Sequence, residues 1–93
     1  MTVKQFNDTY PDYNGLIYVN SGYFIDDKMK MILDSLNIEY KEIHINSLDT
    51  NLLKQFKVDI GPNLFKFKNG MLVASLQSLV NRDSVKEFAE KEF

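Results

Sequence analysis

The chain has 93 residues, 44% of them hydrophobic and 13% aromatic, with a net charge of -2. That is apolar enough for one core and argues against disorder, and the charge has the wrong sign for a general binder of nucleic acid or anionic membrane. There is no cysteine and one histidine, His44, which removes disulfides, thiolate nucleophiles, zinc–thiolate centres and multi-histidine metal sites together. One domain spanning 1–93 is expected. The opening Met1-Thr2-Val3-Lys4-Gln5-Phe6 lacks the apolar run of a secretory signal, and no stretch reaches the roughly 18 apolar residues of a membrane span, so a cytoplasmic protein is expected.

Lys4 to Gly15 is polar and rich in turn residues, and reads as a short helical turn or loop that Tyr10 and Tyr13 could anchor on the body. Leu16-Ile17-Tyr18-Val19 is a brief, continuous apolar run, the pattern of a strand covered on both faces. From Asp26 to Asn37, Met29, Ile32, Leu33 and Leu36 recur at i, i+3, i+4 and i+7, predicting a helix. Asp26 and Asp27 suit its positive end and Asn37 its stop. Glu39 to Asn46 alternates at its end as a strand does, with Ile43 and Ile45 on one side. Asp49 or Thr50 could start a short helix carrying Leu52, Leu53 and Phe56. Asn63–Phe67 and Met71–Leu76 flank Lys68-Asn69-Gly70, and Asn-Gly between two β-rich runs predicts a hairpin. A last helix follows Asn81 as N-cap, with Val85, Phe88 and Ala89 on one face and Val80 and Val85 spaced as a hydrophobic staple.

The order β-α-β-α-β-β-α implies an α/β fold with a mixed sheet. Within it, Val58-Asp59-Ile60-Gly61-Pro62-Asn63 followed by Leu64-Phe65-Lys66-Phe67-Lys68-Asn69-Gly70, and the terminal Val85-Lys86-Glu87-Phe88, resemble the thioredoxin superfamily over residues 16 to 93. The resemblance implies a thioredoxin-like fold, a mixed four-stranded sheet with helices on both faces, and an N-terminal element that is shortened. It also implies a cis-proline at Pro62.

The departures from that family carry the functional reading. The redox motif Trp-Cys-Gly-Pro-Cys-Lys is matched in position by Tyr23-Phe24-Ile25-Asp26-Asp27-Lys28, so the motif's two-cysteine segment is replaced by Phe24-Ile25-Asp26-Asp27. Tyr18 falls where the family keeps a buried acid, Asn20 where it has a tryptophan, and Gly61 where a β-branched residue precedes the proline. Disulfide exchange needs a thiolate, and neither a benzyl ring nor a carboxylate can run that cycle. No thiol–disulfide oxidoreductase activity, no catalytic residue, no cofactor and no metal are expected. Asp26 and Asp27 read as complements of the helix dipole. His44 reads as a structural or surface histidine; with Glu42 it makes too small a ligand set for a metal. Lys66 and Lys68 alternate with Phe65 and Phe67 as in a half-buried strand, Phe inward and Lys outward, and Lys66 fits a wetter face. Met29 and Met31 read as core and helix-flank filling.

What the resemblance leaves is a groove. Carried over by position, its lining would be Tyr23, Phe24, Ile25 and Asp26 from the turn before the helix, Gly61 and Pro62 beside the strand, and Ser78 with Leu79 before the last helix. The expectation is a redox-inactive module or adaptor binding a protein partner there, itself a monomer or weak homodimer. The other readings are a structural subunit of a larger assembly, a small viral or bacterial regulatory effector, and a binder of glutathione-like peptides. Phe24 and Ile25 could equally tuck into the core, and Gly61 could serve an unusual φ or make room for a ligand.

Overall fold

The computed structural model describes residues 1–22, 24–59, 61–77 and 81–92, and of Phe24 the backbone. The chain runs α1 (Val3–Thr9), β1 (Gly15–Asn20), α2 (Phe24–Ser35), β2 (Tyr40–His44), α3 (Thr50–Phe56), β3 (Asn63–Lys68), β4 (Met71–Leu76) and α4 (Arg82–Glu90). The sheet order is β2-β1-β3-β4, with β1 and β2 parallel and the other pairs antiparallel.

The sheet divides the core in two. Ile17, Val19, Phe65 and Phe67 pack with Phe6 of α1 and with Leu52 and Phe56 of α3. Leu16, Tyr18 and Leu64 pack with Met29 and Leu33 of α2 and with Val85 of α4. Leu16 to Val19 is therefore buried on both faces, as its unbroken apolar run predicts. Met29 belongs to the core, whereas Met31 is exposed.

The helix stops follow local chemistry. Asn37 takes a positive φ of 56°, and the bonds from Ile38 N–H to the Leu33 carbonyl and from Asn37 N–H to the Asp34 carbonyl close α2 in a Schellman turn. Asp49 caps α3 by accepting from Leu52 N–H at 3.0 Å. Asn81 and Ser84 form a reciprocal capping box on α4; the staple expected from Val80 lies outside the described residues. At the hairpin, Asn69 and Gly70 have φ of 53° and 80°, the signs of a type I′ turn. Gly70 is also obligatory for space, because a Cβ there would lie 2.2 Å from the Pro11 carbonyl oxygen.

Four expectations change. The polar N-terminal stretch contains a true helix, α1, whose Thr2–Gln5 capping box offsets its short length and whose Phe6 enters the core. Tyr10 and Tyr13 do anchor the segment after it, through ring contacts with Phe6 and Phe67. The second strand ends at His44, where Ile45–Ser47 turns into a 3₁₀ helix capped by the His44 side chain. In the hairpin the register slips between Lys66 and Phe67: Phe67 faces Leu72 while Lys66 faces Ala74, so Val73 is an extra residue. This bulge sends Leu72 to the α1/α3 layer and Leu76 to the α2/α4 layer. Finally, Phe65 and Phe67 point inward as expected, but Lys66 does not sit on a wet face: its ammonium donates to the carbonyls of Phe88 at 2.8 Å, Ala89 at 3.2 Å and Lys91, capping α4.

Candidate functional site

Sheet register brings the predicted site segments to one end of the molecule. Val19 at the end of β1 faces Asn63, Asn20 faces His44, and Leu64 faces Leu76. The turn entering α2, the loop before β3 and the segment leaving β4 therefore meet at the same edge. Tyr23 and Ser78 (with Leu79) lie outside the described residues, as does the Phe24 side chain. Ile25 is half-buried, Asp26 and Pro62 are buried, and Gly61 is half-buried.

The turn entering α2 is shaped by polar side chains of β1. Asn20, at the tryptophan position of the resemblance, accepts from Gly22 N–H at 2.8 Å through Oδ1. Its amide nitrogen reaches Glu42, which pairs with Lys30 at 3.1 Å. His44 is exposed, and its Nδ1 accepts the Asn46 N–H at 3.1 Å, a structural role. Among the described residues no cluster of three or more His, Cys, Asp or Glu side chains could hold a metal.

Asp26 is not the exposed dipole complement that its place in a first helical turn suggests. It is 2% exposed. The Tyr18 hydroxyl donates to its Oδ1, and the Ser21 hydroxyl lies 3.2 Å from its Oδ2. Tyr18 itself is fully buried, and burial, reinforced by this bond to Asp26, pushes its phenol far above the usual tyrosine value. The physical reason is geometric: β1 is central, its Tyr18 ring lies in the α2/α4 layer, and the hydroxyl reaches the first turn of α2 just above. A buried carboxylate is tolerated because hydroxyls meet it. Asp27 stays exposed.

The loop before β3 is held from within by Asn63. Its fully buried amide accepts from Asp59 N–H at 2.9 Å and donates to the carbonyls of Asp59 at 3.0 Å and Gly61 at 2.9 Å. Gln77 adds bonds of 2.9 Å to Asn63 Oδ1 and 2.8 Å to the Lys57 carbonyl, tying in the end of β4. Among the described residues no peptide bond is cis, so Gly61–Pro62 is trans, which corrects the cis-proline that the resemblance implies. Trans is the favoured X-Pro state by about 0.5–1 kcal/mol, and here the Asn63 network supplies the loop shape. Gly61 lies beside the end of β4. A Cβ at this position would stand 3.2 Å from the Gln77 carbonyl oxygen, so its small size serves close approach to Gln77.

No family model matches the chain, and no curated protein matches it. Solved structures do. Trxlp from Edwardsiella tarda EIB202 superposes with a TM-score of 0.68 at 13% identity, over 98% of this chain and 96% of that one. A thioredoxin from Plasmodium falciparum superposes with a TM-score of 0.63 at 12% identity, over 96% and 91%. The fold is thioredoxin-like: a mixed four-stranded sheet with four helices. This chain is a version of it without cysteine, so its own side chains cannot exchange disulfides. Among the described residues no helix is long and apolar enough to cross a membrane.

Two features of this corner escape sequence reasoning. The burial of Asp26 depends on a tyrosine eight residues earlier, with no local signal. Asn63 reads as an ordinary strand-start residue, and only Asn next to Gly-Pro hints at a polar loop clamp.

Proposed function

We propose that the protein is a redox-inactive, thioredoxin-like binding module that recognises an extended segment of a protein partner at this corner, with no cofactor. Ile25 and the neighbouring Tyr23 and Phe24 would supply apolar contact, and the Gly61 backbone would offer main-chain pairing, with Ser78 at the rim. Asp26 and Pro62, being buried, would shape the surface from beneath.

The observation that carries the reading is the Asn63 clamp. A connection between α3 and β3 has no need of a buried amide bonded to three backbone groups and a second side chain. Such a network fixes one loop shape, and a preformed loop binds at lower entropic cost. The Tyr18–Asp26 bond supports it from the other side by seating α2 firmly at the same edge.

The test is selection of phage-displayed linear peptides on the immobilised protein, followed by fluorescence anisotropy of a selected peptide. Phe24→Ala and Ile25→Asp should each weaken binding about tenfold or more, while Lys41→Ala on the far sheet edge leaves it unchanged. Failure to select any peptide, or affinity indifferent to both substitutions, would discard the reading.

A further inference from the structure

The end of the sheet opposite the candidate corner carries a separate opening. A hollow of about 340 Å³ lies between the end of α2, the start of β1 and the end of α4, within the size range of small-molecule sites. Its walls are apolar: Leu16, Leu36, Ile38 and Ala89 line it, and the last three are only half-buried. Asn37, with its positive φ, turns the chain between Leu36 and Ile38, so both sides of that turn border the same hollow.

The charges around the hollow do not cancel. Lys66 reaches it, but its ammonium is engaged by the carbonyls of Phe88, Ala89 and Lys91 at the end of α4. What remains is Glu39 and Glu90 against Lys86. All three are exposed, and among the described residues none of them belongs to an ion pair. The end of α2 adds to the acids, because its last turn holds Asp34 and no basic residue to offset the negative end of the helix dipole. The hollow therefore joins an apolar floor to a rim of net negative charge.

From this arrangement we infer that the hollow binds a small primary ammonium ion carried on an aromatic or branched alkyl body. The body covers Leu16, Leu36, Ile38 and Ala89 and releases the water over them. The cation stays at the rim beside Glu39 and Glu90, where it keeps part of its hydration. A ligand with a carboxylate in the same place would meet two carboxylates, and a neutral one would leave the rim unused. The hollow lies at the far end of the sheet from the peptide corner, so this inference goes beyond the peptide-binding reading and does not rest on it.

Titration of phenethylammonium chloride into the ¹⁵N-labelled full chain at low ionic strength, up to roughly 10 mM, tests it. Saturable shifts are expected at the amides of Gly15, Leu36, Ile38, Glu39 and Ala89. Hydrocinnamate, with a similar body and the opposite charge, should bind about tenfold more weakly or worse. Glu39→Gln and Glu90→Gln should each weaken the ammonium about twofold to fivefold. Glu87→Gln, exposed on α4 but not bordering the hollow, should leave it unchanged. Circular dichroism establishes that each variant is folded. Absence of saturable shifts, shifts confined to other amides, equal affinity for the two ions, or affinity indifferent to both glutamate variants overturns the inference. Peptide binding at the corner is read on other amides, so the two readings fail separately.

Discussion

The hydroxyl of Tyr18 in the central strand donates to the buried carboxylate of Asp26 in the first turn of α2. The sequence resemblance sets the two-cysteine motif of the thioredoxin superfamily against this helix start. Here two polar side chains satisfy one another inside the protein, and the helix start becomes a fixed structural joint. Tyr18→Phe leaves the ring in place and removes the donor to a buried carboxylate. Stability should fall by about 1–3 kcal/mol, read as a lower urea midpoint. A double-mutant cycle with Asp26→Asn should show strong coupling, since the two groups act as a unit.

Burial of the same tyrosine, reinforced by this bond, shapes the response to alkali. Burial raises the phenols of Tyr13, Tyr18 and Tyr40 above their ordinary value of 10.0, Tyr18 furthest. Above about pH 10 the unfolded chain has released tyrosine protons that the folded chain still holds, so stability is full below that pH and is lost as pH rises. Urea midpoints should decline above pH 10, and Tyr18→Phe should flatten the decline. An equally steep decline in the variant would place the effect elsewhere.

Asn63 bonds three backbone groups and Gln77 while fully buried. Asn63→Leu strands those partners, and the loss should be about 2–3 kcal/mol. Hydrogen exchange should rise first at Asp59, whose N–H loses its acceptor.

Lys66 joins the middle of β3 to the last carbonyls of α4. Lys66→Met keeps the apolar stem and deletes the cap, at a cost of about 1–2 kcal/mol. Amide exchange should increase in the last turn of α4 and stay unchanged in α2.

The readable parts of this fold are those written in neighbouring residues. The run Leu16–Val19 gives away a doubly covered strand, Asn69-Gly70 a type I′ hairpin, and Asn81 and Asn37 a helix start and a helix stop, each because backbone and side chain decide the matter within a few positions. The missed parts depend on distant partners. Helix α1 carries a single buried residue, Phe6, so periodicity cannot find it, although Thr2-x-x-Gln5 is a capping-box pattern. The bulge at Val73 answers a conflict between two core layers. Lys66 follows strand alternation correctly, yet its ammonium finds helix carbonyls where water was expected. At the candidate site, the resemblance pointed to the corner, while the burial of Asp26 against Tyr18 and the hold of Asn63 on the loop before β3 exist only once the sheet is assembled.

Gly70 offers a test of the hairpin. Gly70→Ala would force both a positive φ and a collision with the Pro11 carbonyl. The loss should exceed about 2 kcal/mol, whereas Asn69→Gly, at the other positive φ, should cost little.

The most direct measurement of the binding account is a ¹⁵N–¹H correlation titration of the folded protein with a selected peptide. Shifts confined to the amides of Gly22 to Asp26, Asp59 to Gly61 and the start of α4 are the predicted result. Shifts clustered at the opposite end of the sheet, around Gly15 and Glu39, would contradict it.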